Sequence, residues 1–225
     1  MNHAGYEENA FVKIHWIDSE GITRETVNDV LHGMDGIIVP GGFGNRGIEG
    51  MITAAEYARK NRIPYFGICL GMQIAVIEYA RNEAGLPEAH SGEFDEQCRD
   101  KVIDFMPGQS EEIDKGGTLR LGSYPCSIKA GTKMEQCYGN KLIHERHRHR
   151  YEFNNKYREE LMRAGLVISG TSPDDRLVET VELKEHPFFV GVQFHPEFTS
   201  RPNRPHPLFQ GFISAALCEK IEKEE

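Results

Sequence analysis

A cysteine between two glycines is the residue of this sequence best suited to covalent chemistry. Residues 67–71 read Gly-Ile-Cys-Leu-Gly and lie where a predicted strand meets a predicted helix. Such a sharp turn strains the backbone of its central residue, and glycines two positions away leave room for it. The helix N-terminus favours the thiolate, which is the reactive form of cysteine. The pattern predicts Cys69 as a nucleophile, and the alternative is a buried cysteine that only packs.

A nucleophilic cysteine needs a base, and the base needs a group that orients it. Residues 194–198, Phe-His-Pro-Glu-Phe, follow an apolar run that is typical of a strand. His195 could accept the thiol proton. Glu197 could accept the other imidazole N–H and hold one tautomer. A single histidine at the end of a strand is more often structural, but its occurrence together with the cysteine turn favours catalysis.

A glycine-rich segment, Pro-Gly-Gly-Phe-Gly at 40–44, follows another buried apolar run. Glycines let backbone N–H groups turn towards a ligand, so one interpretation is an oxyanion hole shared with the backbone N–H of Leu70. An ordinary tight turn is the simpler alternative. A Walker A phosphate loop is excluded because no Gly-Lys-Ser/Thr follows.

The segment 144–151, His-Glu-Arg-His-Arg-His-Arg-Tyr, allows several interpretations. A nucleic-acid patch would be short for an acidic chain. His147 and His149 could bind a metal, although no partners stand at ligand spacing. An arginine here could recognise a carboxylate with its planar fork. A solvated edge strand is the fourth possibility, and the residues alone do not choose among the four.

The elements that must position these residues follow from hydrophobic periodicity. Apolar runs predict strands at 11–18, 36–39, 64–68, 166–170, 177–183 and 188–194, and helical spacing predicts helices at 23–32, 48–61, 70–81, 155–164 and 208–220. Residues 85–122 are loop-rich, with short strands predicted at 101–104 and 118–121. The alternation of strands and helices predicts an α/β fold with a mainly parallel central sheet flanked by helices. We expect a single domain over 1–225.

Composition narrows the class of protein. The 225 residues carry 26 Lys and Arg against 35 Asp and Glu, a net charge of −9 that argues against a nucleic-acid or membrane-surface partner. No apolar run approaches the length of a membrane span, and the first residues do not form a signal peptide. Five cysteines without a Cys-x-x-Cys pair support neither a disulfide framework nor a metal site. We expect a cytoplasmic protein.

The motifs PGG (40–42), GICLG (67–71) and FHPE (194–197), in this order along the chain and at these separations, resemble the class I (triad) glutamine amidotransferases. That family hydrolyses the side-chain amide of glutamine and passes the ammonia to a synthase domain. Within that family, the chain resembles the amidotransferase domain of the CTP synthases from about residue 34 to the last helix. The segments that carry this narrower resemblance are PGGFGNRGIE (40–49), SGEF (91–94), GGTLRLG (116–122), RHRHRYE (146–152) and QFHPEFTSRP (193–202).

The resemblance implies a flavodoxin-like layered fold and a role for each matching residue. Cys69, His195 and Glu197 would form the catalytic triad, and the backbones of Gly42 and Leu70 the oxyanion hole. The residues that would bind glutamine are Gln73, Glu93 and Arg150. The last two suit a zwitterionic amino acid, whose ammonium needs a carboxylate and whose carboxylate needs a cation.

The resemblance also implies partners and cofactors. L-glutamine is the expected substrate, and the synthase domain, which phosphorylates UTP with ATP and Mg and is absent from this sequence, is the expected partner. No cofactor or metal is expected in this domain, although GTP is a possible activator near a lid at 116–122. An oligomer is expected only in the full-length protein.

The family's domain usually opens with a strand and a helix. Residues 1–6 resemble the end of that helix, so we expect the N-terminal strand to be missing. The alternatives are another class I glutaminase, of the GMP synthase or anthranilate synthase type, a hydrolase of γ-glutamyl peptides, and a catalytically inert fragment or docking domain.

Overall fold

Strands and helices alternate through the first third of the chain, as their sequence patterns predict. The computed structural model describes residues 1–105 and 119–224. The elements before residue 83 are α1 (Asn2–Glu7), α2 (Val27–Leu31), β1 (Ile37–Val39), α3 (Ile48–Lys60), β2 (Tyr65–Ile68) and α4 (Leu70–Asn82). The predicted strands at 36–39 and 64–68 and the helices at 48–61 and 70–81 are therefore confirmed.

Strands dominate the rest of the described chain. These elements are β3 (Ala89–Ser91), β4 (Asp100–Phe105), β5 (Arg120–Ile128), α5 (Lys133–Tyr138), β6 (Leu142–His149), β7 (Tyr151–Phe153), α6 (Arg158–Ala164), β8 (Val167–Thr171), β9 (Val178–Glu182), β10 (Phe189–Val192) and α7 (Pro207–Glu224). Part of the strand predicted at 118–121 lies outside the described residues, as does the first part of the lid predicted at 116–122.

The central sheet has seven strands in the order β1-β2-β10-β9-β8-β5-β6, and β3, β4 and β7 form a second, smaller sheet. The α/β layered class is confirmed, but the expectation of a mainly parallel sheet is wrong. Among the described strands of the large sheet, only β1–β2 and β2–β10 pair in parallel, and the other four pairs are antiparallel. The physical reason is that short connections, such as those between β8, β9 and β10, join antiparallel neighbours, whereas parallel strands need a long crossover.

Helices cover both faces of the sheet. Successive side chains of its central strands point to opposite faces, and those on each face pack against helices. Tyr65 of β2 and Phe189 of β10 pack in one apolar cluster with α3 and α4. Phe66 and Val190, the next residues along these strands, pack in a second cluster with α7. Strands buried on both faces read as continuous apolar runs, which is why the sequence located them.

The prediction of a strand at 11–18 is wrong. These residues form no ladder with another described segment, and the next element is a short helical turn that begins at Ser19. Phe11 and Trp16 are 94% and 90% exposed. Alternation of apolar and polar residues is necessary for a half-buried strand, but a strand also needs a partner edge to satisfy its backbone groups.

Candidate active site

Cys69 lies at the point where β2 ends and α4 begins. Its φ of 52° and ψ of −100° lie outside the conformations that side chains normally allow, as the turn motif predicts. The Cys69 N–H donates to the Val192 carbonyl at 2.7 Å, which ties the turn to the end of β10. Because the first N–H groups of a helix lack intrahelical acceptors, the start of α4 presents donors beside the sulfur.

Gly67 and Gly71 flank Cys69, and a side chain at either position would collide with the backbone. A Cβ on Gly67 would lie 2.4 Å from the Gly71 carbonyl oxygen, and one on Gly71 would lie 2.0 Å from the Val39 carbonyl oxygen. Neither neighbour is a flexible side chain that could move away. Glycine at 67 therefore lets the turn close on itself, and glycine at 71 lets it pack against the end of β1.

His195 lies just after β10, with Glu197 two residues further along a short helical turn. The Nδ1 atom of His195 lies 2.7 Å from Glu197 Oε1, the contact predicted from their spacing. The His195 backbone N–H donates to the Arg146 carbonyl of β6 at 2.8 Å, so a second strand fixes its position. The imidazole ring also stacks on Phe198, with ring centroids 5.1 Å apart.

The glycine-rich segment packs against both Cys69 and His195, the predicted nucleophile and base. A Cβ on Gly41 would lie 2.8 Å from His195 Cε1 and 3.6 Å from Cys69 Cβ, so this glycine separates the two side chains. A Cβ on Gly42 would lie 3.0 Å from Leu70 Cδ2, which places the two predicted oxyanion-hole residues side by side.

The charge state of His195 follows from its neighbours. Burial lowers the pKa of His195, but its interactions with the Cys69 side chain and with Glu197 outweigh burial and raise the pKa to about 9. Near neutral pH the imidazole is therefore protonated beside the sulfur. This arrangement suits a thiolate–imidazolium pair, in which the base already carries the proton that a leaving group needs.

A pocket of about 170 Å³ opens in front of Cys69. This volume is well below the range of roughly 300–1,000 Å³ that is typical of drug-sized ligands, so a small ligand is the better fit. The described residues that line it are Gly42, Phe43, Cys69, Gln73, Glu93, Leu119, Arg148, His149, Arg150 and Tyr151. All three residues predicted to bind glutamine are among them.

Glu93 and Arg150 bring opposite charges to this pocket. Burial raises the pKa of Glu93, while a hydrogen bond from the Gly44 N–H, at 3.3 Å, and the charge of Arg150 lower it. Because Arg150 acts on Glu93 electrostatically, the two side chains are near neighbours. The pocket thus offers an anion and a cation to the same small ligand.

The segment 144–151 divides its residues between two environments, because alternate side chains of a strand point to opposite faces. Glu145, His147 and His149 are buried, while His144, Arg146 and Arg148 are exposed. As β6 is at the edge of the sheet, the edge-strand interpretation holds for the exposed residues. The carboxylate-recognition interpretation is supported by the position of Arg150 in the pocket.

The buried face of β6 lies beside a cluster of ionisable groups. Arg120 NH1 lies 2.6 Å from Glu179 Oε1, and His147 Nδ1 lies 3.0 Å from His149 Nε2. Burial and the charge of Arg120 lower the pKa of His147 to about 2 and that of His149 to about 3, so both rings are neutral. Within residues 1–105 and 119–224, no three His, Cys, Asp or Glu side chains are placed to hold a metal ion.

Glu152 of β7 interacts with Arg120 and Glu179 of this cluster and makes stability depend on pH. It is 3% exposed, and neither carboxylate oxygen has a hydrogen-bond partner in the described part of the chain. Burial, opposed by Arg120 and assisted by Glu179, raises its pKa from 4.5 to about 7. The folded state therefore holds this proton more tightly than the unfolded state, and stability falls as pH rises from 4.5 to about 7.

We expect Glu152→Gln to remove this dependence. The free energy of unfolding of the variant, relative to the unchanged protein, should rise between about pH 5 and pH 8 by up to about 3 kcal/mol. Urea denaturation at the two pH values measures the difference. Glu159→Gln, the same change on the exposed surface of α6, is the control, and equal pH profiles for Glu152→Gln and the unchanged protein would contradict the prediction.

Sequence reasoning gave no role to several residues around Cys69, above all Gln193. Its side chain is fully buried, and Nε2 lies 3.6 Å from Cys69 Sγ. Gln193 lies near the end of the apolar run that precedes His195. A single polar residue at the end of a strand is common, so its type alone did not indicate a role. The available signal was its position two residues before His195, in the segment 193–202 that carries the resemblance to the CTP synthases.

The comparisons with known proteins agree with this geometry. Residues 1–215 match the family "Glutamine amidotransferase class-I". The chain therefore belongs to the class I glutamine amidotransferases. Solved structures with the same fold include a glutamine amidotransferase from Thermotoga maritima, with a TM-score of 0.55 at 16% identity over 99% of this chain and 78% of that one. At that identity the likeness shows the fold alone.

Within the family, the chain is a glutamine amidotransferase domain of the CTP synthase type. The glutaminase domain of Trypanosoma brucei CTPS, solved with bound acivicin, matches with a TM-score of 0.91 and 41% identity, over 96% of this chain and 85% of that one. CTP synthases of Listeria innocua and Clostridium acetobutylicum are 58% and 59% identical over 98% of the chain. The chain spans about 41% of the length of these two relatives. No helix in the described residues is long and apolar enough to cross a membrane.

Proposed function

We propose that this chain hydrolyses L-glutamine to glutamate and ammonia, and that the ammonia serves a synthase domain that aminates UTP to CTP with ATP. The observation that carries the proposal is the pocket itself. It places a cysteine at a helix N-terminus, beside a protonated histidine, next to a carboxylate and a guanidinium that together match a free amino acid.

The proposed reaction begins when the Cys69 thiolate attacks the carboxamide carbon of glutamine. The negative charge that develops on the oxygen is stabilised by backbone N–H groups of Gly42 and Leu70. His195 then donates its proton to the amide nitrogen, and the C–N bond breaks. Ammonia departs, and a γ-glutamyl thioester remains on Cys69. Water, deprotonated by His195, attacks the thioester and releases glutamate and the thiol.

Glutamine recognition in this proposal depends on charge. Glu93 would bind the α-ammonium, and Arg150 would bind the α-carboxylate with its planar fork. Gln73 lines the same pocket, but its Nε2 already donates to the Tyr151 carbonyl at 3.0 Å, so only its carbonyl oxygen remains to face the substrate. ATP, Mg and GTP, the synthase-domain partner, an oligomer and a cytoplasmic location remain predictions for the whole protein.

A glutamine-analogue electrophile tests the site. The chain is incubated with 6-diazo-5-oxo-norleucine and examined by peptide mass mapping, with and without excess glutamine. We expect one label, at Cys69, that glutamine prevents. No label on a chain that circular dichroism shows to be folded would contradict the proposal and favour an inert docking domain. Labelled protein that hydrolyses γ-glutamyl peptides but not glutamine would favour the peptide hydrolase.

The link between His195 and Glu197 predicts a change in pH dependence. The Cys69 side chain and Glu197 both raise the pKa of His195. Glu197→Gln keeps a hydrogen-bond acceptor but removes the Glu197 charge, so the imidazolium should lose its proton at lower pH. Since the imidazolium protonates the leaving ammonia, we expect the alkaline limb of kcat/KM for glutamine to move to lower pH. The maximum should fall by about tenfold to a hundredfold.

The measurement is glutamate formation between about pH 6 and pH 10, a range that brackets the titration of His195. Glu159→Gln on the exposed surface of α6 is the control and should retain the original profile. An alkaline limb that stays in place in Glu197→Gln would show that this carboxylate does not set the proton affinity of His195.

A further inference from the structure

Gln193 connects the end of β10 to the nucleophile through its side chain. The residue is fully buried, and its backbone N–H donates to the Glu179 carbonyl of β9 at 2.8 Å, so its position is fixed by the sheet. Its side-chain amide has a neighbour at each end. Gln73 lies 3.4 Å away on one side, and Cys69 Sγ lies 3.6 Å away on the other.

Hydrogen-bond logic determines which end of this amide faces the sulfur. The Tyr151 carbonyl can only accept, so the Gln73 atom that lies 3.0 Å from it must be the NH₂ group. That same NH₂ group lies 3.4 Å from Gln193, so the facing atom of Gln193 must be the acceptor, Oε1. The NH₂ group of Gln193 is therefore left to point at Cys69 Sγ.

We infer that Gln193 is a catalytic residue that donates a hydrogen bond to the Cys69 thiolate. A donor aimed at a charged acceptor stabilises the charged form, and such bonds are stronger in a buried site than in water. This inference rests on the proposed role of Cys69 as the nucleophile. The start of α4 is the first stabiliser of the thiolate. Gln193, which approaches from the end of β10, would be the second.

Gln73 becomes a positioning residue in the same arrangement. Its Nε2 donates to Gln193, which in turn donates to the sulfur, and it is itself held by the carbonyl of Tyr151, the residue that follows Arg150 in the chain. A line of hydrogen bonds therefore runs from the segment that carries Arg150 to the nucleophile. Gln73 would therefore have two roles, because it positions Gln193 and its side chain also lines the pocket proposed to bind glutamine.

The test is the pH dependence of Cys69 alkylation in Gln193→Met and Gln193→Glu. Methionine keeps the length of the side chain without a donor, and glutamate keeps the shape but replaces the donor with an acceptor. Gln210→Met is the matched control, because it makes the same chemical change on α7 rather than at the residue that donates to Cys69 Sγ. The rate of iodoacetamide addition to Cys69 is followed by peptide mass mapping from about pH 5 to pH 10, on chains that circular dichroism shows to be folded.

We expect the midpoint of alkylation to move up by about one pH unit or more in both Gln193 variants, and kcat/KM for glutamine to fall by about tenfold to a hundredfold. The control should keep the original midpoint. An unchanged midpoint in Gln193→Met and Gln193→Glu overturns the inference, even if activity falls, because a purely structural role would not move it.

Failure of the proposed function gives a different result. In that case the unchanged protein would not be labelled by 6-diazo-5-oxo-norleucine, whatever the alkylation midpoint of the variants. If neither Gln193 variant folds, side-chain ¹⁵N NMR of the unchanged protein decides. A glutamine amide should titrate with the alkylation midpoint and stop titrating in Cys69→Ala, and the absence of such a resonance overturns the inference.

Discussion

Cys69→Ala is expected to abolish glutamine hydrolysis, with a loss of about 10⁴-fold or more, because the thioester cannot form without the sulfur. The change should leave the fold intact. Alanine is smaller than cysteine and places no new atom against the turn. The measurement is glutamate release from glutamine by the purified variant, together with circular dichroism. Measurable turnover by a preparation free of the unchanged protein would refute the assignment of the nucleophile.

The other cysteines provide the controls for this experiment. Cys218 is exposed on α7, so Cys218→Ala makes the same chemical change away from the pocket and should keep full activity. Burial raises the pKa of the Cys126 thiol, and burial also raises that of Cys137 to about 11. Both remain protonated near neutral pH, so an electrophile should label Cys69 well before either of them.

Gly71→Ala is expected to destabilise the chain by about 3 kcal/mol or more, and the folded fraction should lose the reactivity of Cys69. The added methyl group would lie 2.0 Å from the Val39 carbonyl oxygen, so β1 and the start of α4 must move apart. Urea denaturation measures the stability, and labelling by 6-diazo-5-oxo-norleucine measures the site. The two readouts should fall together, because the same turn carries both.

Gly21→Ala is the matched control, since a Cβ at that position meets nothing within 4 Å and its φ is not in the left-handed region. Its stability should stay within about 0.5 kcal/mol of the unchanged protein. A Gly71→Ala chain with normal stability and normal labelling would show that the turn can relax, contrary to the contact with backbone.

Local spacing was enough to predict the parts of the site that lie close together in the chain. The turn at Cys69 followed from a buried run, two glycines and a helical pattern, and its positive φ is found where those residues predicted it. The contact between His195 and Glu197 also needed only a separation of two residues after a strand. Short-range sterics determine such features, and they do not depend on which strand lies alongside.

Spacing did not predict the direction of the strands after β4, or the fate of residues 11–18. An alternating or continuous apolar run records how buried a strand is, but not the direction of its neighbour. Pairing between distant segments decides which half of the sheet is antiparallel. Residues 11–18 have no such partner among the described segments, and Phe11 and Trp16 are exposed. Similarly, four interpretations of 144–151 remained open because burial of alternate residues depends on what packs against β6.

The amino-acid sequence by itself therefore predicted the strained turn at Cys69 and the contact between His195 and Glu197, because neighbouring residues impose both. Folding decided which charges share the pocket and which polar group faces the sulfur. Glu93 and Arg150 are 57 positions apart, and Gln193 and Cys69 are 124 apart. The pairing of β2 with β10 brings Gln193 to Cys69, and the small sheet β3-β4-β7 joins the segments that carry Glu93 and Arg150. Such long-range contacts leave no periodic signature in the chain.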